Sequence, residues 1–151
     1  MQSLIHLSRT SRILAAGSAA FLLSNAALVA QDECATATPV FNGANGPYSN
    51  VGMTTSAEAW TCAFNVANDS WYAYIASGTG TLTVDTCGLA LPDDTVVQVF
   101  DGAGGCGALT LLGCNDDGCG FPASSLTVAC AAGTTYFIRV GGYNGIVVQS
   151  F

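Results

Sequence analysis

The sequence predicts an all-β fold, a jelly-roll-like antiparallel β-sandwich stabilised by disulfides. Three observations carry that expectation. From about residue 40 onward, short runs of β-branched and aromatic residues recur between glycine-rich turns. Several runs alternate apolar and polar residues, the mark of a strand with one buried face. Seven cysteines follow an export-type leader, and an oxidising compartment lets such residues pair.

The chain opens on residues that read as a signal peptide, 1–30. Arg9 and Arg12 supply the positive region, "ILAAGSAAFLLSNAALVA" the apolar region, and small residues lead to a cut after Ala30. A retained membrane anchor is the rival, since the run is about long enough to span a bilayer. Its Gly, Ser and Asn content and Ala-rich end favour cleavage. A lipid anchor at Cys34 is disfavoured because Asp32 and Glu33 precede that residue. Residues 31–151 then form one domain, secreted or extracellular (periplasmic or cell-surface as variants), with no membrane span.

Within that domain the clearest strand signals are "WYAYI" (71–75), "TLTVDT" (81–86), "TVVQVF" (95–100), "LTLLGC" (109–114), "SSLTVAC" (124–130) and "TYFIRV" (135–140). "VFNG" (40–43) and "SNVGMT" (49–54) are weaker. Outside the leader no helical period is sustained, and short strands separated by turn signals point to a sandwich.

Charge excludes several functions. All ten acidic residues lie beyond residue 30, whereas Arg139 is the one Lys, Arg or His that does, leaving a formal charge of −9. Such a surface repels phosphate backbones, so nucleic acid is excluded as a partner. Divalent cations would be attracted. Without histidine or lysine, Ser-His-Asp, Cys-His and histidine-ligated zinc chemistry have no proton carrier or ligand set. A carboxylate pair remains as the one catalytic option, from residues such as Asp93, Asp94, Asp116 and Asp117. The protease-type Asp-Thr-Gly and Asp-Ser-Gly loops are absent, and the expected domain is non-catalytic.

"DECATATPV", "NDSWYAY", "GTLTVDTCG", "DTVVQVFDG", "LLGCNDDGCG" and "AGTTYFIRVGGYNG" occur in this order from Asp32 to Gly145. In that order they resemble bacterial pre-peptidase C-terminal domains, most closely the cysteine-containing secreted type. The resemblance implies a jelly-roll-like sandwich, commonly appended to secreted hydrolases and without catalysis of its own. It points to an adhesion or substrate-targeting module for an extracellular polymer (polysaccharide or protein) or a cell surface, with calcium as a stabilising cofactor in some relatives. The alternatives are a processed C-terminal extension that aids export and has no ligand, and a small carboxylate-dependent hydrolase. The chain departs from the pattern at "IVVQSF", where relatives run into a further strand. Either that tail is a shortened strand, or a lost segment held the partner of the odd thiol and its absence exposes a sheet edge.

Two acidic sets are candidates for calcium, which takes six to eight hard oxygen ligands. The first follows from the resemblance to collagen-binding relatives: Asp32, with Glu33 beside it, and Asn68 and Asp69 ahead of the aromatic strand. The plainer reading makes Asp69 a turn residue that accepts backbone N–H bonds. The second set is Asp93, Asp94, Asp101, Asp116 and Asp117. "LPDDT" precedes one strand and "CNDDGCG" follows the next, so a hairpin would bring the acidic pairs to one end. "NDDG" lacks the alternating oxygens of an EF-hand loop, and Asn, Asp and Gly suit any turn.

The cysteines read as disulfides, because export argues against reduced zinc thiolates and paired C-x₂-C spacing is absent. Cys87 and Cys119 both sit in "CG" turns after strands and form the favoured pair. Cys34–Cys62 would tie down the N-terminal arm. Cys106 and Cys114 pair only if "GALT" folds back, and Cys130 is left as the odd thiol. "GAGGCG" (102–107) has no lysine or helix to make it a phosphate loop and reads as a hairpin tip. Tyr48, Trp60 and Tyr143 are aromatic candidates for stacking on a polymer, or else cover a core edge.

Overall fold

Strand β2 (Ala67–Ile75) is the second strand of a five-stranded sheet whose order is β1-β2-β7-β4-β5. The partners are β1 (Thr38–Val40), β7 (Thr135–Gly142), β4 (Thr95–Asp101) and β5 (Thr110–Asp116). A second sheet pairs β3 (Gly80–Asp85) with β6 (Ser125–Cys130). The computed structural model describes residues 30–88 and 93–149. The signal peptide expected over 1–30 lies outside the described residues apart from Ala30. So do Leu91 and Pro92 of "LPDDT" and the last two residues of the tail.

The six strong strand signals all become strands, each within a few residues of its expected bounds. Every pairing is antiparallel except β1 with β2, which is parallel. β1 is short and carries Pro39, which an edge strand tolerates because one side of it needs no ladder N–H. "SNVGMT" forms no strand. Ile146–Gln149 forms none either. It is tied to the 48–51 segment instead: Asn50 N–H donates to the Val148 carbonyl at 3.2 Å, and Val148 N–H donates to Asn50 Oδ1 at 2.6 Å.

The large sheet is buried on both faces, as the unbroken buried run of β4 requires. On the inner face Tyr72, Val97, Val99, Ile138 and Val140 meet Leu82, Val84, Leu126 and Val128 of the small sheet. On the outer face Trp71 and Phe100 stack with ring centroids 5.5 Å apart, and the N-terminal arm closes over them through Cys34. The small sheet has two strands against five, so it cannot roof the whole inner face. β3 has β6 on one edge and no strand on the other among the described residues.

Three disulfides join these layers. Cys87–Cys119 is present. The expected Cys34–Cys62 pair is not: Cys34 joins Cys106 and Cys62 joins Cys114, each with Cα atoms 5.7 Å apart. The arm packs on Trp71 and Phe100, next to the β4–β5 hairpin tip, where Cys106 opens a short 3₁₀ turn. Cys62 lies on the segment that crosses the sheet toward β5. Cys130 is a free thiol. The bridges suit an oxidising compartment. Among the described residues no helix is long and apolar enough to cross a membrane.

Candidate functional site

Asp69, the centre of the first calcium set, already holds a cation. Arg139 stands opposite Trp71 and Gln98 in register, on the outer face of the sheet. Its Nε donates to Asp69 Oδ2 at 2.8 Å, with both side chains 0% exposed. Trp71 Nε1 donates to the same oxygen at 3.1 Å, and Ser56 N–H donates to Oδ1 at 2.9 Å. The rest of the guanidinium donates to the carbonyls of Glu58 (2.7 Å) and Ser56 (3.1 Å) and to Gln98 Oε1 (3.3 Å). Trp60 lies over it at 4.3 Å. A Cβ at Gly141 would stand 2.6 Å from Val66 and 2.7 Å from Trp60, so glycine is what lets this lid close.

The first calcium set is therefore corrected. Asp69 is neutralised by Arg139 and serves to hold the 56–60 segment over the sheet. Asp32 turns to Thr54, whose N–H and Oγ1 both donate to its carboxylate. Asn68 takes a left-handed backbone (φ +53°) and donates to the Gly145 carbonyl at 3.0 Å. Glu33 caps the short turn that begins at Cys34 through Thr36. Trp60 is corrected with them: its ring faces Arg139, not a groove.

The second set fares differently. Asp94 precedes β4, Asp116 ends β5, and Asp116 lies opposite Val96 in the hairpin register. Asp117 follows with φ +65°, and Asn115 Oδ1 accepts the N–H groups of Gly118 (2.8 Å) and Ser125 (2.9 Å), which fixes the turn. A Cβ at Gly118 would run into Asn115 and the Ser125 carbonyl. As a result, carboxylate oxygens of Asp94, Asp116 and Asp117 lie within 4.8 Å of one another. Asp94 is only 7% exposed, and one oxygen each of Asp94 and Asp116 is buried with no hydrogen-bond partner. Burial, with the charges of Asp116 and Asp117 added, pushes the Asp94 carboxyl up to about 6. Burial and then Asp117 also raise Asp116.

Two members of that set stand apart. Asp93 Oδ1 accepts the Gln149 N–H at 3.4 Å. Asp101 lies at the other end of β4, opposite Thr110, and accepts the Ala103 N–H at 2.8 Å. The hairpin expectation thus places its acidic residues at both ends of β4, and only the Asp94 end converges.

Between the sheets, where the small one stops short, a groove of about 590 Å³ remains. Tyr72, Tyr74, Ile138 and Val140 form its floor, Val40–Asn45 and Tyr48 one wall, and Leu82–Cys87 the other. Consecutive β3 residues line it, although alternate side chains of a strand point to opposite faces. The groove therefore runs along the free edge of β3. Phe41 stands at its rim, 74% exposed. Tyr74 donates its hydroxyl to Asn42 Oδ1 at 2.6 Å, and the Tyr48 and Tyr72 rings lie 4.7 Å apart.

Of the three aromatic candidates, Tyr48 is in the groove. Tyr143 is half-buried at the acidic end, where its N–H donates to the Asp94 carbonyl at 3.0 Å. Phe41, Tyr72 and Tyr74 escaped the sequence reading, although the two-residue spacing of Tyr72 and Tyr74 puts both rings on one face. No match to the chain was found among protein-family models, curated proteins or solved structures, so the resemblance to pre-peptidase C-terminal domains rests on the motifs quoted above.

Proposed function

We propose that this chain is a secreted, non-catalytic module that holds an extended extracellular polymer in the groove beside β3. The observation that carries the reading is the meeting of an unpaired strand edge with an aromatic floor. A free edge offers backbone N–H and C=O groups to an added strand, while the floor takes alternate side chains. An extended polypeptide satisfies both features, whereas a glycan would use the rings and leave the edge unpaired. The formal charge of −9 beyond residue 30 favours neutral or basic segments. The six ordered motifs support the same class of function, and the disulfides support an oxidising destination.

A carboxylate-dependent hydrolase is the weaker reading. Its raised carboxyl, Asp94, is outside the groove lining, as are Asp116 and Asp117. A catalytic acid must reach the scissile group within hydrogen-bond range, and none of the three carboxylates is among the residues that line the groove.

The test is retention on immobilised gelatin, as an extended protein polymer, and on an insoluble neutral polysaccharide, each with and without chelator. Retention on gelatin that is lost with Phe41→Ser and Tyr74→Ala is the expected result. Retention on the polysaccharide alone would replace the peptide reading, and failure on both supports would leave the export-extension alternative.

A further inference from the structure

We propose that Asp94, Asp116 and Asp117 form a calcium site that clamps the start of β4 to the end of β5. Convergence alone would not carry this, because acidic groups gather on many surfaces. The second observation is the burial of Asp94: the residue is 93% removed from solvent, and one oxygen of its carboxylate has no donor. A buried carboxylate without a partner costs free energy, and the fold tolerates that cost where a ligand completes the group.

Among the described residues no basic side chain neutralises the cluster. Beyond residue 30 Arg139 is the sole basic side chain, and it is spent on Asp69. The turn is also rigidly built, by Asn115 accepting from Gly118 and Ser125 and by the Cys87–Cys119 bridge next to it. A cation would thus meet three oxygens already in place and keep water on its open side.

Coordination habit selects the ion. The three carboxylate oxygens lie within 4.8 Å of one another, close enough for one ion to reach all of them. Calcium takes six to eight oxygens in flexible geometry, whereas magnesium demands near-ideal octahedral geometry and gives up its water reluctantly, which suits a set fixed by three anchored residues less well. Hard oxygen donors without histidine or thiolate also argue against zinc or copper. Asp94, Asp116 and Asp117 do not line the groove, and the inference does not depend on the polymer reading.

The test is isothermal titration of the disulfide-intact, chelator-stripped chain with calcium chloride and, separately, magnesium chloride at pH 7.5, paired with thermal melts. One calcium per chain is expected, bound at least about tenfold more tightly than magnesium, with a rise in melting temperature. Asp94→Asn and Asp117→Asn should each weaken calcium at least about tenfold, whereas Asp101→Asn should not. If Asp94→Asn melts cooperatively, its lost calcium response is a loss of ligand and not of fold. No calcium response up to 10 mM in the wild-type chain, equal affinity for magnesium, or an unchanged response in Asp94→Asn would each overturn the assignment.

Discussion

Arg139 donates its Nε to Asp69 Oδ2 at 2.8 Å in a place where neither side chain reaches solvent. Removing one partner of such a pair strands a buried charge, which costs about 3–5 kcal/mol. Asp69→Asn and Arg139→Met should each lower unfolding stability by that order in urea titrations. The double variant Asp69→Asn/Arg139→Met should cost clearly less than the two losses added. Strict additivity would mean that the two groups do not act as a pair.

The acidic end makes stability depend on pH in an unusual direction. The Asp94 carboxyl titrates near 6 when folded, against an ordinary value of 3.8. The folded chain therefore binds the proton more tightly than the unfolded one does. Its contribution to stability is full below pH 3.8 and is lost as the pH rises through about 6. In chelator, the melting temperature should rise as pH falls from 7.5 to 5, and Asp94→Asn should flatten that slope. In saturating calcium the trend should reverse, because protons then displace the ion. A chelator-treated wild type with no slope would contradict the burial of Asp94.

The bridges predict a specific peptide map. Non-reducing digestion should yield Cys34–Cys106, Cys62–Cys114 and Cys87–Cys119, with Cys130 carrying any alkylating label added before reduction. Replacing both Cys62 and Cys114 by serine should cost roughly 3–4 kcal/mol, since the bridge closes a 52-residue separation. A Cys34–Cys62 peptide would contradict the packing of the N-terminal arm on the hairpin tip.

Strands were legible because alternation is a local property: "TLTVDT" and "TYFIRV" declare a buried face with no knowledge of the partner. β1 was nearly invisible, being three residues with a central proline, and its parallel pairing is set by the chain's long return after Val40. Disulfide partners depend on which segments cross in space, and only the Cys87–Cys119 pair, each in a turn after a strand, had a local signal. The acidic residues make the same point more sharply. Asp69 and Asp94 look alike in the sequence, each just before or within the start of a strand. Asp69 lies within reach of Arg139 and Asp94 does not, so one becomes an ion-pair anchor and the other a buried carboxylate with one oxygen left unpartnered. The groove was illegible for a related reason: it exists because a two-stranded sheet faces a five-stranded one.

The central claim is that the open side of the sandwich is the binding surface. The most direct measurement is the backbone amide spectrum of ¹⁵N-labelled protein, recorded while a gelatin-derived peptide is added. Shifts are expected at Phe41–Asn45, Tyr48, Tyr72, Tyr74 and along Leu82–Cys87, with a loss of amide exchange on the free edge of β3. Shifts confined to other surfaces, or none at saturating peptide, would contradict it.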